Sequence, residues 1–121
     1  MNLIIEKTEV ASLLMVMNIC RSNVKKHFKK QNKNQMLEAY DSIKAHLQHN
    51  IADLNEENIN VQCRLLFDLK ELHLVHAFIS WYVVRTRRLL EKVNRKNNQV
   101  DDHQLKALIG IRQKIEVLLD G

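Results

Sequence analysis

Residues 58 to 94 read NINVQCRLLFDLKELHLVHAFISWYVVRTRRLLEKVN, 37 positions without a glycine or a proline. Apolar side chains recur through the stretch at steps of three and four, the spacing of an amphipathic helix. The stretch reads as one helix, about 55 Å long at 1.5 Å per residue. On a wheel of 100° per residue its apolar positions fall into two stripes. Val61, Leu65, Leu69, Leu72, Ile79, Val83 and Leu90 form one, and Cys63, Phe67, Leu74, Phe78 and Trp81 lie on the opposite side. A helix apolar on both sides is buried on both sides. Either the rest of the chain wraps it, or the stripe with Phe67, Leu74, Phe78 and Trp81 meets a partner, since aromatic anchors dominate interface energetics.

Outward from that stretch, asparagine-rich segments at 32 to 34, 55 to 60 and 94 to 98 punctuate the chain, and no internal repeat is read between them. A first helix runs from a Thr8 cap to about Lys30, with Val10, Leu13, Leu14, Met17, Val24 and Phe28 on its apolar face. A second runs from Asn34 to the turn at Asn55, with Met36, Tyr40, Ile43, Leu47, Ile51 and Leu54. The last begins at an Asp101-Asp102 cap and buries Leu105, Leu108, Ile109, Ile115, Leu118 and Leu119. With 121 residues, 45% of them hydrophobic, no proline and two glycines, β-rich folds lack their turns. The expected fold is therefore all-α: a single helical domain over 1–121, an antiparallel four-helix bundle with an unusually long third helix.

Charge is unevenly placed. Residues 21 to 33 hold Arg21, Lys25, Lys26, Lys29, Lys30 and Lys33 with no acid. Residues 85 to 96 hold Arg85, Arg87, Arg88, Lys92, Arg95 and Lys96 against Glu91 alone. The two windows together carry +11 and the remainder −6, within an overall +5. In an up-down-up-down bundle both windows end at one pole. Helix C-termini favour a cation or two, but twelve exceed that, so the pole is expected to be a solvated basic face, to meet an acidic protein partner or to contact nucleic acid. No aromatic other than the core-facing Phe28 is interleaved with these residues, which argues against base stacking and leaves phosphate contact.

Catalytic chemistry finds little footing. Cys20 and Cys63 stand apart and read as reduced core thiols. His46 with His49, and His73 with His76, have the i, i+3 spacing of helical metal sites. No carboxylate completes either pair, and in a hairpin the two pairs lie at different levels, so no metal and no cofactor are expected. His76 is read as a hydrogen-bonded core residue. Glycine occurs only at 110 and 121, so no phosphate loop can form. Arg21 and His27 have the R-x5-H spacing that resembles the motif of HEPN-type ribonucleases, which are also small and helical. A second resemblance starts from a hairpin over Gln35–Asp53, continues through Ala77-Phe78 and the basic run from Arg85 to Leu90, and ends in an acid-capped last helix. That order resembles the helical domain of GINS subunits of the replicative helicase over about residues 35 to 120, with Ser80-Trp81 where that family has an arginine and without its small β domain.

The expected protein is a non-catalytic binding or regulatory factor, an adaptor or inhibitor of the kind mobile elements carry. It works by protein–protein contact through the aromatic stripe and the basic pole, as a homodimer or a subunit of a complex. The alternatives are a nucleic-acid-binding factor using the same pole and the GINS-like role that the resemblance implies. Nothing in the sequence is long and apolar enough to span a bilayer. Met1–Glu9 carries no basic region before Leu3-Ile4-Ile5, and position 2 is Asn2 where a myristoylation signal needs glycine, so a cytoplasmic or nuclear location is expected.

Overall fold

The computed structural model describes residues 1–28, 32–92 and 99–120, the side chains of 99–102 excepted. The order is β1 (Asn2–Glu6), α1 (Lys7–His27), α2 (Lys33–Asn50), β2 (Gln62–Leu66), α3 (Leu69–Lys92) and α4 (Gln99–Asp120). The fold is mostly helical but not all-α, because β1 and β2 pair antiparallel with Leu3 opposite Leu65 and Ile4 opposite Arg64. The long third helix is corrected with it: α3 has 24 residues, close to the 21 and 22 of α1 and α4. Cys63, Leu65 and Phe67 alternate with polar or exposed neighbours, and a period of two makes a strand with one buried face. Cys63, Leu65 and Phe67 are buried, while Gln62, Arg64 and Leu66 are exposed.

Local chemistry fixes the helix starts. Ahead of α1, the Glu6 N–H donates to the Glu9 carboxylate (3.0 Å). Ahead of α3, the Asp68 N–H donates to Glu71 (3.0 Å) and the Glu71 N–H to Asp68 (2.8 Å), the reciprocal pair of a capping box. Two orphan donors of α1, the N–H groups of Lys7 and Thr8, reach the carbonyls of Val61 and Ile59. Thr8 is thus inside the helix and not its cap. The loop that supplies those carbonyls is locked by asparagines: Asn55 accepts from the Glu57 and Asn58 N–H groups, and Asn58 accepts from that of Asn55. α1 ends where Phe28 turns extended. The expected Asp101-Asp102 cap lies within α4, which begins at Gln99.

The helices form two hairpins, α1–α2 and α3–α4. His76 on α3 meets Glu116 on α4 (3.0 Å), so the level of Trp81 on α3 is near residue 111 of α4. α1 touches the second hairpin at Glu9–Lys114 (3.8 Å) and at His27–Trp81 (ring centroids 5.5 Å). Those two points are about 27 Å apart along α1 but only a few residues apart in level on the α3–α4 pair. The first hairpin therefore lies across the second. The up-down-up-down bundle is not what the chain adopts, because the ribbon fixes where each hairpin starts. The core is one cluster holding the inner face of the ribbon, Leu3, Ile5, Cys63 and Leu65, and the facing sides of the helices, including Ile111, which the sequence reading omitted.

The order strand, helix, helix occurs twice. Contacts follow the same exchange: α1 packs on α4 as α3 packs on α2, and α4 packs on β1 as α2 packs on β2. Adding 62 to a residue number maps Glu6 and Glu9 onto Asp68 and Glu71, and buried Val10, Leu13, Val16 and Met17 onto buried Leu72, Val75, Phe78 and Ile79. Between 1–28 and 63–90 only Leu3/Leu65 and Glu9/Glu71 are identical.

Arg21 of α1 clamps Asp41 of α2 through Nε (2.8 Å) and Nη2 (2.7 Å). The hydrogen bonds from Arg21 hold the Asp41 carboxyl below the usual carboxylate range, aided by the charges of Arg21 and Lys44. A carboxyl with a depressed folded pKa contributes stability above its unfolded value of about 4 and loses it as pH falls through the folded value. Asp41→Asn should accordingly lose that contribution near neutrality and flatten the acid limb of stability below about pH 4, read as urea midpoints against pH, both effects being small because the pair is partly exposed.

Candidate functional site: a basic groove beside an apolar pocket

Trp81, Arg85, Arg88 and Lys92 follow one another along α3 at steps of four, three and four, which puts them on one face of the helix. Asn23 and His27, a step of four on α1, face them. Between the two helices lies an open groove of about 680 Å³, lined by these six residues with Ser80, Val84 and Leu89. The Arg85 guanidinium sits 5.2 Å from the Trp81 ring centroid, a cation–π contact that holds its charge at the groove. Trp81 also meets His27 at 5.5 Å and Phe78 at 6.0 Å. The ring is a fixed wall, engaged by three neighbours.

Behind that wall opens a second hollow of about 200 Å³, lined by Val24, His27, Phe28, Tyr40, Leu74, Ala77, Phe78 and Trp81. It shares His27 and Trp81 with the groove. Tyr40 enters from α2, packing edge-on to Phe78 (5.7 Å). Its hydroxyl donates to the Met17 carbonyl (2.5 Å) inside the core, so only the ring faces the pocket. Burial pushes the Tyr40 phenol well above its ordinary pKa, keeping it a neutral donor. The floor is apolar, and His27 is the polar group at its mouth. Among the described residues, neither lining contains an acid.

The structure redistributes the residues singled out from sequence. Phe67 and Phe78 are core residues, 1% and 4% exposed, and Phe67 precedes α3, so the four-residue interface stripe does not exist as a surface. Leu74 and Trp81 are half-buried and line the pocket. Of the basic set, Arg85, Arg88 and Lys92 line the groove, Arg87 is exposed beside it, and Lys25 and Lys26 are exposed on α1. Arg21 is engaged by Asp41, and Lys33 is half-buried at the start of α2. Lys29, Lys30, Arg95 and Lys96 lie outside the described residues.

Two sets kept apart on the sequence thus meet at Trp81, contrary to the reading that no aromatic stands among the cations. Asn23, His27, Phe28 and Tyr40 were missed as site residues. The signal for the groove was the Trp81, Arg85, Arg88, Lys92 spacing. Nothing local marks the α1 and α2 contributions. The stack belongs to the second half alone, since residues 62 positions earlier than Trp81 and Arg85 are Ile19, 69% exposed, and Asn23.

Other candidates disperse. Arg21 faces Asp41 while His27 faces Trp81, so the R-x5-H pair does not converge. The Gln35–Asp53 hairpin of the GINS resemblance is instead the single helix α2 followed by a turn. His76 is held by Glu116, the His46 ring packs edge-on to Phe67 (5.2 Å), and His49 and His73 are exposed. No group of three metal-ligating side chains occurs among the described residues. Cys20 and Cys63 are buried free thiols. Burial raises both pKa values, with Arg85 pulling Cys20 part of the way back. No helix among the described residues is long and apolar enough to cross a membrane. Comparison with protein-family models, with curated proteins and with solved structures finds no match to the chain.

Proposed function

We propose that this is a non-catalytic binding protein, an adaptor or inhibitor that acts as one subunit of a complex by holding an acidic segment of a protein partner in the groove between α1 and α3. The observation that carries this reading is the junction at His27 and Trp81 of a groove bearing Arg85, Arg88 and Lys92 with an apolar pocket. Charged groups at a rim steer an encounter and select its partner, while a buried apolar anchor supplies most of the binding energy. A homodimer built on Phe67 and Phe78 is not part of the proposal, because those rings fill the core.

Nucleic acid is the second reading. It is favoured by the exposed cations Lys25, Lys26, Arg87 and Arg88, two from each half of the chain at equivalent positions. Against it, the Trp81 ring already has Arg85, His27 and Phe78 around it and is no free platform for a base.

Arg85→Glu with Arg88→Glu should weaken binding of an acidic probe peptide by tenfold or more while the thermal midpoint stays near that of the parent. Unchanged binding defeats the reading. The salt dependence separates the two ligands: a slope of several units in log affinity against log salt with oligothymidine, absent with the peptide, turns the assignment to phosphate contact.

A further inference from the structure

The adjacency of the pocket and the groove specifies more than an acidic partner. We infer that the site reads a short acidic linear segment carrying one bulky apolar side chain, which enters the pocket while neighbouring carboxylates lie on Arg85, Arg88 and Lys92. This rests on the protein-binding reading above and names the chemistry of the segment.

The size of the pocket sets the anchor. A cavity of about 150 Å³ accommodates benzene, so about 200 Å³ takes a phenyl or isobutyl group with room to turn. It is too small for a long acyl chain. The rings of Phe28, Phe78 and Trp81 and the side chain of Leu74 surround the space, and the Tyr40 hydroxyl is turned away into its bond with Met17. A polar anchor would find no partner there except His27 at the mouth, and an unpaired polar group is costly to bury.

The cations set the flank. Arg85 to Lys92 covers seven residues of α3, about 10 Å at 1.5 Å per residue, which an extended peptide crosses in about three residues. An acidic run of that length, starting beside the anchor, places carboxylates along all three cations. Among the described residues, no acid in the lining competes for them. Charge complementarity and the pocket therefore specify the same occupant from two sides.

Fluorescence anisotropy with synthetic peptides of about a dozen residues tests this. One labelled probe holds a single Phe beside four Asp/Glu, a second has that Phe replaced by Ala, and a third keeps the Phe but carries Asn/Gln for the acids. The first should bind at least tenfold tighter than either of the others. Ala77→Phe, a substitution at an exposed position on the pocket's rim, should plug the hollow and erase the preference for the Phe probe while leaving the Ala probe unaffected. If that variant fails to fold, the comparison of the peptides on the parent protein still decides. Equal binding of the Phe and Ala probes overturns the anchor inference and leaves the acidic-partner reading standing. Failure of every peptide, or tighter binding of oligothymidine, overturns both.

Discussion

Phe78→Ala is expected to lower stability by about 3–5 kcal/mol, whereas Trp81→Ala, three residues on, is expected to cost far less and to appear as lost peptide binding. Phe78 is 4% exposed and packs against Tyr40, Trp81 and Tyr82 with ring centroids 5.7 to 6.3 Å apart. Removing it takes away its transfer free energy and leaves a void that neighbouring rings cannot close without moving Tyr40, which its hydroxyl ties to Met17. The void would merge with the adjoining pocket, so water can enter and the loss should fall toward the lower end of the range. Trp81 is half-buried, and truncating it mainly frees Arg85 and opens the groove. Urea unfolding followed by far-UV dichroism reads the first effect, and probe anisotropy the second. A Phe78→Ala protein as stable as the parent, but altered in its oligomeric state, would move this ring out of the core and restore the interface stripe.

That contrast shows what a helical wheel conceals. Val61 and Leu65 fell on one stripe and Cys63 and Phe67 on the opposite one, because two residues at 100° each turn the wheel by about 200°. Four alternating apolar residues, two of them in β2 and one on either side of it, thus imitate a helix buried on both sides. Asn58, Asn60 and Asp68 were the competing evidence, turn and cap residues that bracket the alternation. At the other end, Leu3-Ile4-Ile5 is continuous rather than alternating, and a five-residue strand gives periodicity little to work on. The helical faces were legible where the pattern was long: Val10, Leu13, Leu14, Met17, Ile43, Leu47, Leu105, Leu108 and Ile115 are all buried as expected.

The repeat escaped for a related reason. Burial constrains which positions are apolar but accepts many apolar residues at each, so Val16 and Phe78 occupy equivalent places without resembling one another. What survives the divergence is the acid three residues past each capping position, Glu9 after Glu6 and Glu71 after Asp68, retained by one capping geometry. The candidate site was half legible. Its α3 face lies in one stretch of sequence at helical spacing. The α1 and α2 contributions arrive through the crossing of two hairpins, which no local pattern encodes. Charge was legible as a quantity but not as a surface, because Arg21, one of the twelve counted cations, is engaged by Asp41.

Leu3→Asp is expected to cost about 4 kcal/mol or more, and Ile4→Asp, one residue along, far less. Leu3 is 1% exposed and lies opposite Leu65 on the inner face of the ribbon, against the helices. A carboxylate there has no cation or donor to meet it, so it either ionises at a heavy desolvation cost or takes up a proton at neutral pH. Ile4 points the other way, 42% exposed and opposite Arg64. An aspartate at that position faces a cation across the strands, a pairing worth about 0.2–1 kcal/mol, which offsets part of the apolar area and strand propensity lost. The two substitutions are chemically alike and adjacent in sequence, so only the alternation of a strand separates them. In an all-helical bundle residues 3 and 4 precede the first helix and both changes would be tolerated. Urea midpoints for the pair therefore test the ribbon directly. Equal stabilities would remove β1 from the fold, and with it the anchor that sets the α1–α2 hairpin across α3 and brings His27 to Trp81.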